Sequence, residues 1–225
     1  MKDLHRKAWI GILRTFVVLV AVIFIPSWSL RYWQGWACLA AFFVPACGIT
    51  VWVAKHDPAL LERRLKAGPK AEKEIGQKIV QTIASIVFLG DFVVPALDHR
   101  YRWSSVPAWA SVAGDLMMIL GFVIVFQVFK ANSFTSGIIE VAENQKVIST
   151  GPYALVRHPM YTGGLIMLYG IPLALGSWWG MLVNVPMTAA IVWRLSDEER
   201  FLLRNLPGYA EYRGTVKYRL IPLLW

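Results

Sequence analysis

Two polar stretches in the last third of the chain hold the residue types that could do chemistry. The first is Gly151-Pro152-Tyr153-Ala154-Leu155-Val156-Arg157-His158-Pro159-Met160-Tyr161-Thr162-Gly163-Gly164. Gly-Pro marks a turn. Pro159 disfavours helical geometry at His158 yet suits the first turn of a helix that follows. A helix opening there presents free N–H groups, and the positive end of its dipole, to an anion. Gly163 and Gly164 leave room near the backbone for a ligand, or equally for another helix. The second stretch is Arg194-Leu195-Ser196-Asp197-Glu198-Glu199-Arg200. Arg194 and Glu198 stand one helical turn apart and are expected to pair. Glutamates here can accept hydrogen bonds from a ribose diol or an amino group. By charge alone this is a solvated acidic helix face. The argument for a site is that the intervening elements bring both stretches to one surface.

Those elements are apolar. Of 225 residues, 56% are apolar and 16% charged, against about 25% charged in a soluble domain. That excludes a disordered chain, a disulfide scaffold and an ordinary cytosolic enzyme, and points to an all-α integral membrane protein. Runs long enough to span a bilayer cover residues 9–28, 33–54, 79–97 and 108–129. The first is too long for a signal-peptide core and is read as a retained helix. The run 160–193 is too long for one span, and Gly176-Ser177 divides it into a helical hairpin. The expected architecture is a single polytopic domain of five to six membrane helices. Residues 1–130 supply four spans and residues 131–225 the cofactor-binding, catalytic region.

Basic residues set the orientation. With the N-terminus cytoplasmic, the inner segments hold nineteen of the 23 Lys and Arg, and the outer loops hold three. Both termini are then cytoplasmic, and the net charge of +9 is a rim facing anionic membrane lipid rather than a nucleic-acid footprint. Arg14 falls inside the first span, near the inner surface, where it can snorkel.

Asp57-Pro58 is an N-cap and first helical position. Leu60, Leu61 and Leu65 are expected to rest on the membrane surface while Arg63, Arg64 and Lys66 reach head groups. Asp91 and Asp115 fall within spans, far from the polar stretches. A hydrogen bond between helices, with at least one acid protonated, is the preferred reading. His5, His56 and His99 are expected to be solvated loop residues. Cys38 and Cys47 lie about 13 Å apart along one helix, on opposite faces, and cannot bridge. No Cys/His spacing suits a metal, and none is expected. The aromatic, basic segment 206–222 is either a lid over the site or an interface anchor.

Taken together, Gly-Pro-Tyr-x-x-x-Arg-His-Pro-x-Tyr (151–161), an apolar hairpin, Arg-x-x-x-Glu-Glu-x-x-Leu (194–202) and Pro-Gly-Tyr-x-x-Tyr (207–212) resemble the isoprenylcysteine carboxyl methyltransferase family. Phospholipid N-methyltransferases and related bacterial membrane methyltransferases share the pattern. The likeness is strong from Asn132 onward and weaker before it. It implies S-adenosyl-L-methionine bound at the cytoplasmic end of the C-terminal helices, in a bacterial inner membrane. Tyr153, His158, Pro159, Tyr161, Gly163 and Gly164 would surround the cofactor. Arg194, Glu198 and Glu199 would hold its polar groups. Arg157, or an arginine of the tail, would orient an anionic acceptor. That acceptor would be lipophilic, or small and membrane-permeant. The segment 132–136, Thr162 and Gly164 depart from the family pattern, so the resemblance leaves the acceptor open.

Methyl transfer is an in-line displacement at a sulfonium, which demands alignment and a dry site. A carboxylate or thiolate acceptor needs no base, whereas an amine needs one, and His158 or Glu199 could serve. Tyrosine faces stabilise a sulfonium. Carboxyl O-methylation of an isoprenylcysteine-like acceptor is the leading expectation. N- or S-methylation of a lipid amine or small thiol, an NADPH-dependent sterol-reductase-like activity and a non-catalytic lipid-binding role stay open. The oligomeric state is not legible.

Overall fold

The computed structural model describes residues 2–72 and 74–225. Among these residues there are eight α-helices and no strand: α1 (Lys2–Ser27), α2 (Trp33–His56), α3 (Pro58–Leu65), α4 (Ile75–Tyr101), α5 (Ala108–Ala131), α6 (Pro159–Ala174), α7 (Gly180–Asn205) and α8 (Tyr209–Thr215). A 3-10 turn at Gly151–Ala154 precedes α6. Helices α1, α2, α4 and α5 are long and apolar enough to cross a membrane. Their 24 to 27 residues exceed the roughly 20 that a bilayer core requires. They also outrun the apolar stretches. α1 begins at Lys2 and α4 covers four more residues at each end than the run 79–97, because polar residues continue the backbone ladder into the head-group zone.

Helices α5 and α6 form the most extensive contact in the molecule. Gly114 and Gly121 of α5 face Gly163 and Gly170 of α6. A Cβ on Gly114 would lie 2.2 Å from the Ala174 nitrogen, and one on Gly121 would lie 2.5 Å from the Gly163 carbonyl oxygen. Backbone therefore touches backbone, the packing that small residues permit between apolar helices. This contact fixes where α6 starts, and hence where Pro159 and Tyr161 stand.

The break at Gly176-Ser177 falls in the connection between α6 and α7, and Gly176 adopts φ +74°, a conformation that glycine enters freely. Buried Asp98 pins the connection from α4. Its carboxylate accepts from the Ser177 hydroxyl at 2.5 Å and from the Ser104 amide at 2.7 Å. Tyr32 donates to the Leu175 carbonyl.

Four expectations need correction. Leu60 and Leu61 of helix α3 do not face the membrane surface, whereas Leu65 is exposed. Asp57 caps the helix as expected, accepting from the Leu60 amide at 2.9 Å, but Leu60 and Leu61 are buried with Ala8 and Val53 against α1 and α2. Its arginines turn to the segment after α5, where Arg64 donates to the Ser136 carbonyl at 2.7 Å and Arg63 to that of Ser133. Second, among the described residues no hydrogen bond joins Asp91 or Asp115 to another helix in good geometry. Asp91 is fully buried beside the Asn184 amide with both oxygens unpartnered, and one oxygen of Asp115 is enclosed without a partner. Third, the histidines are not loop residues. His5 lies in α1, His56 ends α2 and stacks on Trp52, and His99 stacks on Tyr32 from α4. Fourth, Arg194 pairs with Glu72 rather than Glu198. Cys38 and Cys47 are both free.

Candidate functional site

The N-terminal end of α6, the C-terminal half of α7 and α8 enclose a cavity of about 340 Å³. The segment 132–148 forms much of the opposite wall. This volume falls within the range of about 300–1,000 Å³ typical of small-molecule sites.

One side of the cavity is built around Glu199. Pro159 opens α6, leaving His158 as its N-cap in a non-helical conformation, as the sequence requires. The chain after α8 then runs back along this segment. The Arg157 and His158 amides donate to the Tyr218 and Arg219 carbonyls, both at 2.9 Å, and Thr162 donates to the Leu220 carbonyl at 2.7 Å. Arg157 donates through Nε to Glu199 at 2.7 Å and through Nη1 to the Val216 and Lys217 carbonyls. His158 Nε2 lies 3.2 Å from the same Glu199 oxygen, and Arg219 Nε lies 3.2 Å from the other. Glu199 is 3% exposed. Burial pushes its pKa up, but hydrogen bonds from His158 and Arg157 outweigh it and lower the value to about 2. The ionised Glu199 oxygen accepts from His158 Nε2 and holds the ring in place. Arg157 and His158 line the cavity; Glu199 stands behind them.

The other side is built around Tyr161. Its hydroxyl donates to Glu198 at 2.7 Å and accepts from Arg194 Nε at 3.1 Å. The two ends of the expected Arg194–Glu198 pair are thus joined through a tyrosine. Arg194 also bonds Glu72 at 2.8 Å, Gln77 at 2.9 Å and the Gly137 carbonyl at 3.1 Å. Arg194 loses from burial, but Tyr161 and Glu72 more than restore its charged form. Tyr153 accepts from Asn132 at 3.0 Å, and burial pushes its pKa up to about 12.

Of the residues singled out from sequence, Tyr153, Arg157, His158, Pro159, Tyr161, Arg194 and Glu198 line the cavity. Glu199, Gly163 and Gly164 do not. Gly163 is spent on the contact with α5, and Gly164 faces open space. The segment 206–222 covers the site, with Tyr209 and Tyr212 in the wall. The sequence reading missed the contributions of the first half. Arg64 and Gln81 line the cavity, and Glu72 anchors Arg194. A signal for Arg64 was present: Leu60 and Arg64 lie one turn apart, so a buried Leu60 draws Arg64 inward with it.

Residues 109–207 match the phospholipid methyltransferase family. The chain is 35% identical over 120 residues to probable protein-S-isoprenylcysteine O-methyltransferases of Oryza sativa subspecies indica and japonica, which covers 48% of this chain and 59% of each relative. It is 31% identical over 147 residues to protein-S-isoprenylcysteine O-methyltransferase B of Arabidopsis thaliana, covering 61% of this chain and 66% of that one. The chain thus spans about three fifths of the length of the rice relatives it matches. The matched segment carries Tyr153, His158, Tyr161, Arg194 and the Glu198-Glu199 pair, so the likeness to the phospholipid methyltransferase family falls on the residues that build the cavity.

Proposed function

We propose that the protein is an integral membrane methyltransferase that uses S-adenosyl-L-methionine to methylate a carboxyl oxygen of an isoprenylcysteine-like or other lipophilic acceptor. The observation that carries this reading is the cavity itself. Its wall combines Tyr153, His158, Tyr161 and Glu198 within the family-matched segment.

The cofactor has a ribose diol, a sulfonium and an amino-acid end. It therefore asks for a carboxylate, for aromatic faces and for a cation. The wall offers Glu198 and Glu140, four tyrosines and Arg64. Thr135 Oγ1 and Tyr209 Oη, both in the wall, are enclosed without partners, which suits a ligand that brings the missing groups. The residues fit. When bound, S-adenosyl-L-methionine supplies a methyl group activated on sulfur. The tyrosine faces favour a cation, Glu198 accepts hydrogen bonds, and the segments 132–148 and 206–220 exclude water. A carboxylate acceptor gives up no proton, so His158 then serves to orient. An amine acceptor does, and His158, on the cavity wall beside Glu199, is the residue to take it. That specific feature, with the family match, supports N-methylation of a lipid amine as a second reading.

In this reading α6 and α7 complete the membrane domain as a hairpin, bringing the membrane elements to six. Residues 131–225 supply most of the cavity wall, and residues 1–130 supply the four spans together with Arg64 and Gln81. The asymmetry of nineteen basic residues against three supports a cytoplasmic side for the cavity and both termini, in a bacterial inner membrane.

Calorimetry on the detergent-purified protein tests the assignment, with S-adenosyl-L-methionine and NADPH titrated separately. The expected result is micromolar binding of S-adenosyl-L-methionine, weakened at least tenfold in Glu198→Gln. Binding of NADPH alone would instead establish the reductase reading.

A further inference from the structure

Three arginines line the cavity, and they are not equivalent. Arg157 has Glu199 and Arg194 has Glu72. Arg64 has no carboxylate within ion-pair distance among the described residues. Its one hydrogen bond goes to a neutral acceptor, the Ser136 carbonyl, and its guanidinium lies 5.5 Å from the centre of the Phe129 ring. The groups that act on it across the cavity are the Tyr161 and Tyr153 hydroxyls and the Arg194 cation, none of them an anion while the tyrosines stay protonated. Lys146, another cation of the wall without a carboxylate partner, is exposed to solvent. Arg64 is partly buried, and burial lowers its pKa, with repulsion from Arg194 adding to the loss.

An enclosed cation without a counterion is costly, and a second cation nearby adds repulsion. The cost is recovered when a ligand brings the negative charge. The planar guanidinium fork matches a carboxylate in two parallel hydrogen bonds. α3 holds Arg64 firmly enough for this, because Leu60 and Leu61 are buried and Asp57 caps the helix.

We propose that Arg64 anchors a ligand carboxylate in this cavity. The proposal rests on the methyltransferase reading, under which two ligands carry that group: the amino-acid end of the methyl donor, and an acidic acceptor. The residue lies outside the segment that matches the family, so it is a contribution of the N-terminal half to ligand selection.

Binding to the purified full chain in detergent separates the sources. Wild type, Arg64→Gln and Arg64→Lys are titrated with four probes. S-adenosyl-L-methionine is paired with its decarboxylated analogue, and N-acetyl-S-farnesylcysteine with its methyl ester. Arg64→Gln should weaken one carboxylate-bearing probe at least tenfold and leave the partner that lacks the carboxylate unchanged. Arg64→Lys should restore part of the loss. Which pair responds identifies donor or acceptor as the owner of the carboxylate. Equal affinity of wild type and Arg64→Gln for all probes overturns the proposal while leaving the methyltransferase reading intact. So does an equal loss for both members of a pair, which is a structural effect. Failure of wild type to bind S-adenosyl-L-methionine at all overturns the methyltransferase reading and the proposal with it.

Discussion

The two arginines of the cavity wall that have a carboxylate partner, Arg157 and Arg194, are held in opposite ways. Every side-chain partner of Arg157 comes from the C-terminal end of the chain: Glu199, Val216 and Lys217. The partners of Arg194 come from all over: Glu72 before α4, Gln77 within it, Gly137 in the segment after α5 and Tyr161 in α6. The first arrangement is a closed local unit around one buried carboxylate. The second is a tie that draws the N-terminal half onto the C-terminal half. The Glu199 side holds His158 in place, and the Arg194 side sets the shape of the cavity and, through Tyr161, the position of Glu198.

The comparison breaks most sharply at Glu199. Glu199→Ala leaves Arg157 buried without its counterion, for which about 3–5 kcal/mol is the usual loss. The variant should unfold in detergent at markedly lower temperature than wild type. Acid probes the same unit without mutation. Glu199 is held at about 2 against an ordinary 4.5, so its stabilisation is complete above pH 4.5 and fades as pH falls towards 2. With about 1.36 kcal/mol per pKa unit, the loss is on the order of 3 kcal/mol. Melting temperatures between pH 6 and 3 should fall more steeply in wild type than in Glu199→Gln, which has no proton to gain.

The Arg194 side should respond less. Glu72→Gln removes a charged partner but leaves Tyr161, Gln77 and Gly137 in place, so about 1.5–3 kcal/mol is at stake. Its distinguishing effect should be weaker S-adenosyl-L-methionine binding, with the acid response governed by Glu199 retained. Tyr161→Phe is the mildest test. It deletes the bridge between Arg194 and Glu198 and costs about 1–2 kcal/mol. In calorimetry it should weaken cofactor binding several-fold without changing the pH profile of stability. If Glu72→Gln abolished the acid response, the two sides would be one unit and the contrast would fail.

Much of this was legible in the residues. The turn before α6, the N-cap at Asp57 and the lengths of α1, α2, α4 and α5 follow from local rules. So does the grouping of Tyr153, His158, Tyr161 and Glu198 around one cavity, because Pro159 and the apolar runs leave those residues at the same helix ends. Other features were not legible. Glu198 and Glu199 are adjacent and chemically alike, yet one lines the cavity and the other stands behind it. Neighbours on a helix point about 100° apart, and only the packing of α7 decides which direction is inward. Gly163 reads equally as ligand space or helix contact until Gly121 is seen against it.

The sequence by itself determined that the chain is helical and built for a membrane, with its candidate site at the start of α6 and the end of α7. Composition, apolar run length and turn chemistry act over a few residues, and a bilayer admits helices that satisfy their own backbone. Only the tertiary structure decided that Arg64, Glu72 and Gln81 join that site from the other half of the chain. It alone paired Arg194 with Glu72, and it alone left Arg64 without a counterion. Such pairings depend on which helix faces come together, and no local pattern of residues carries that information.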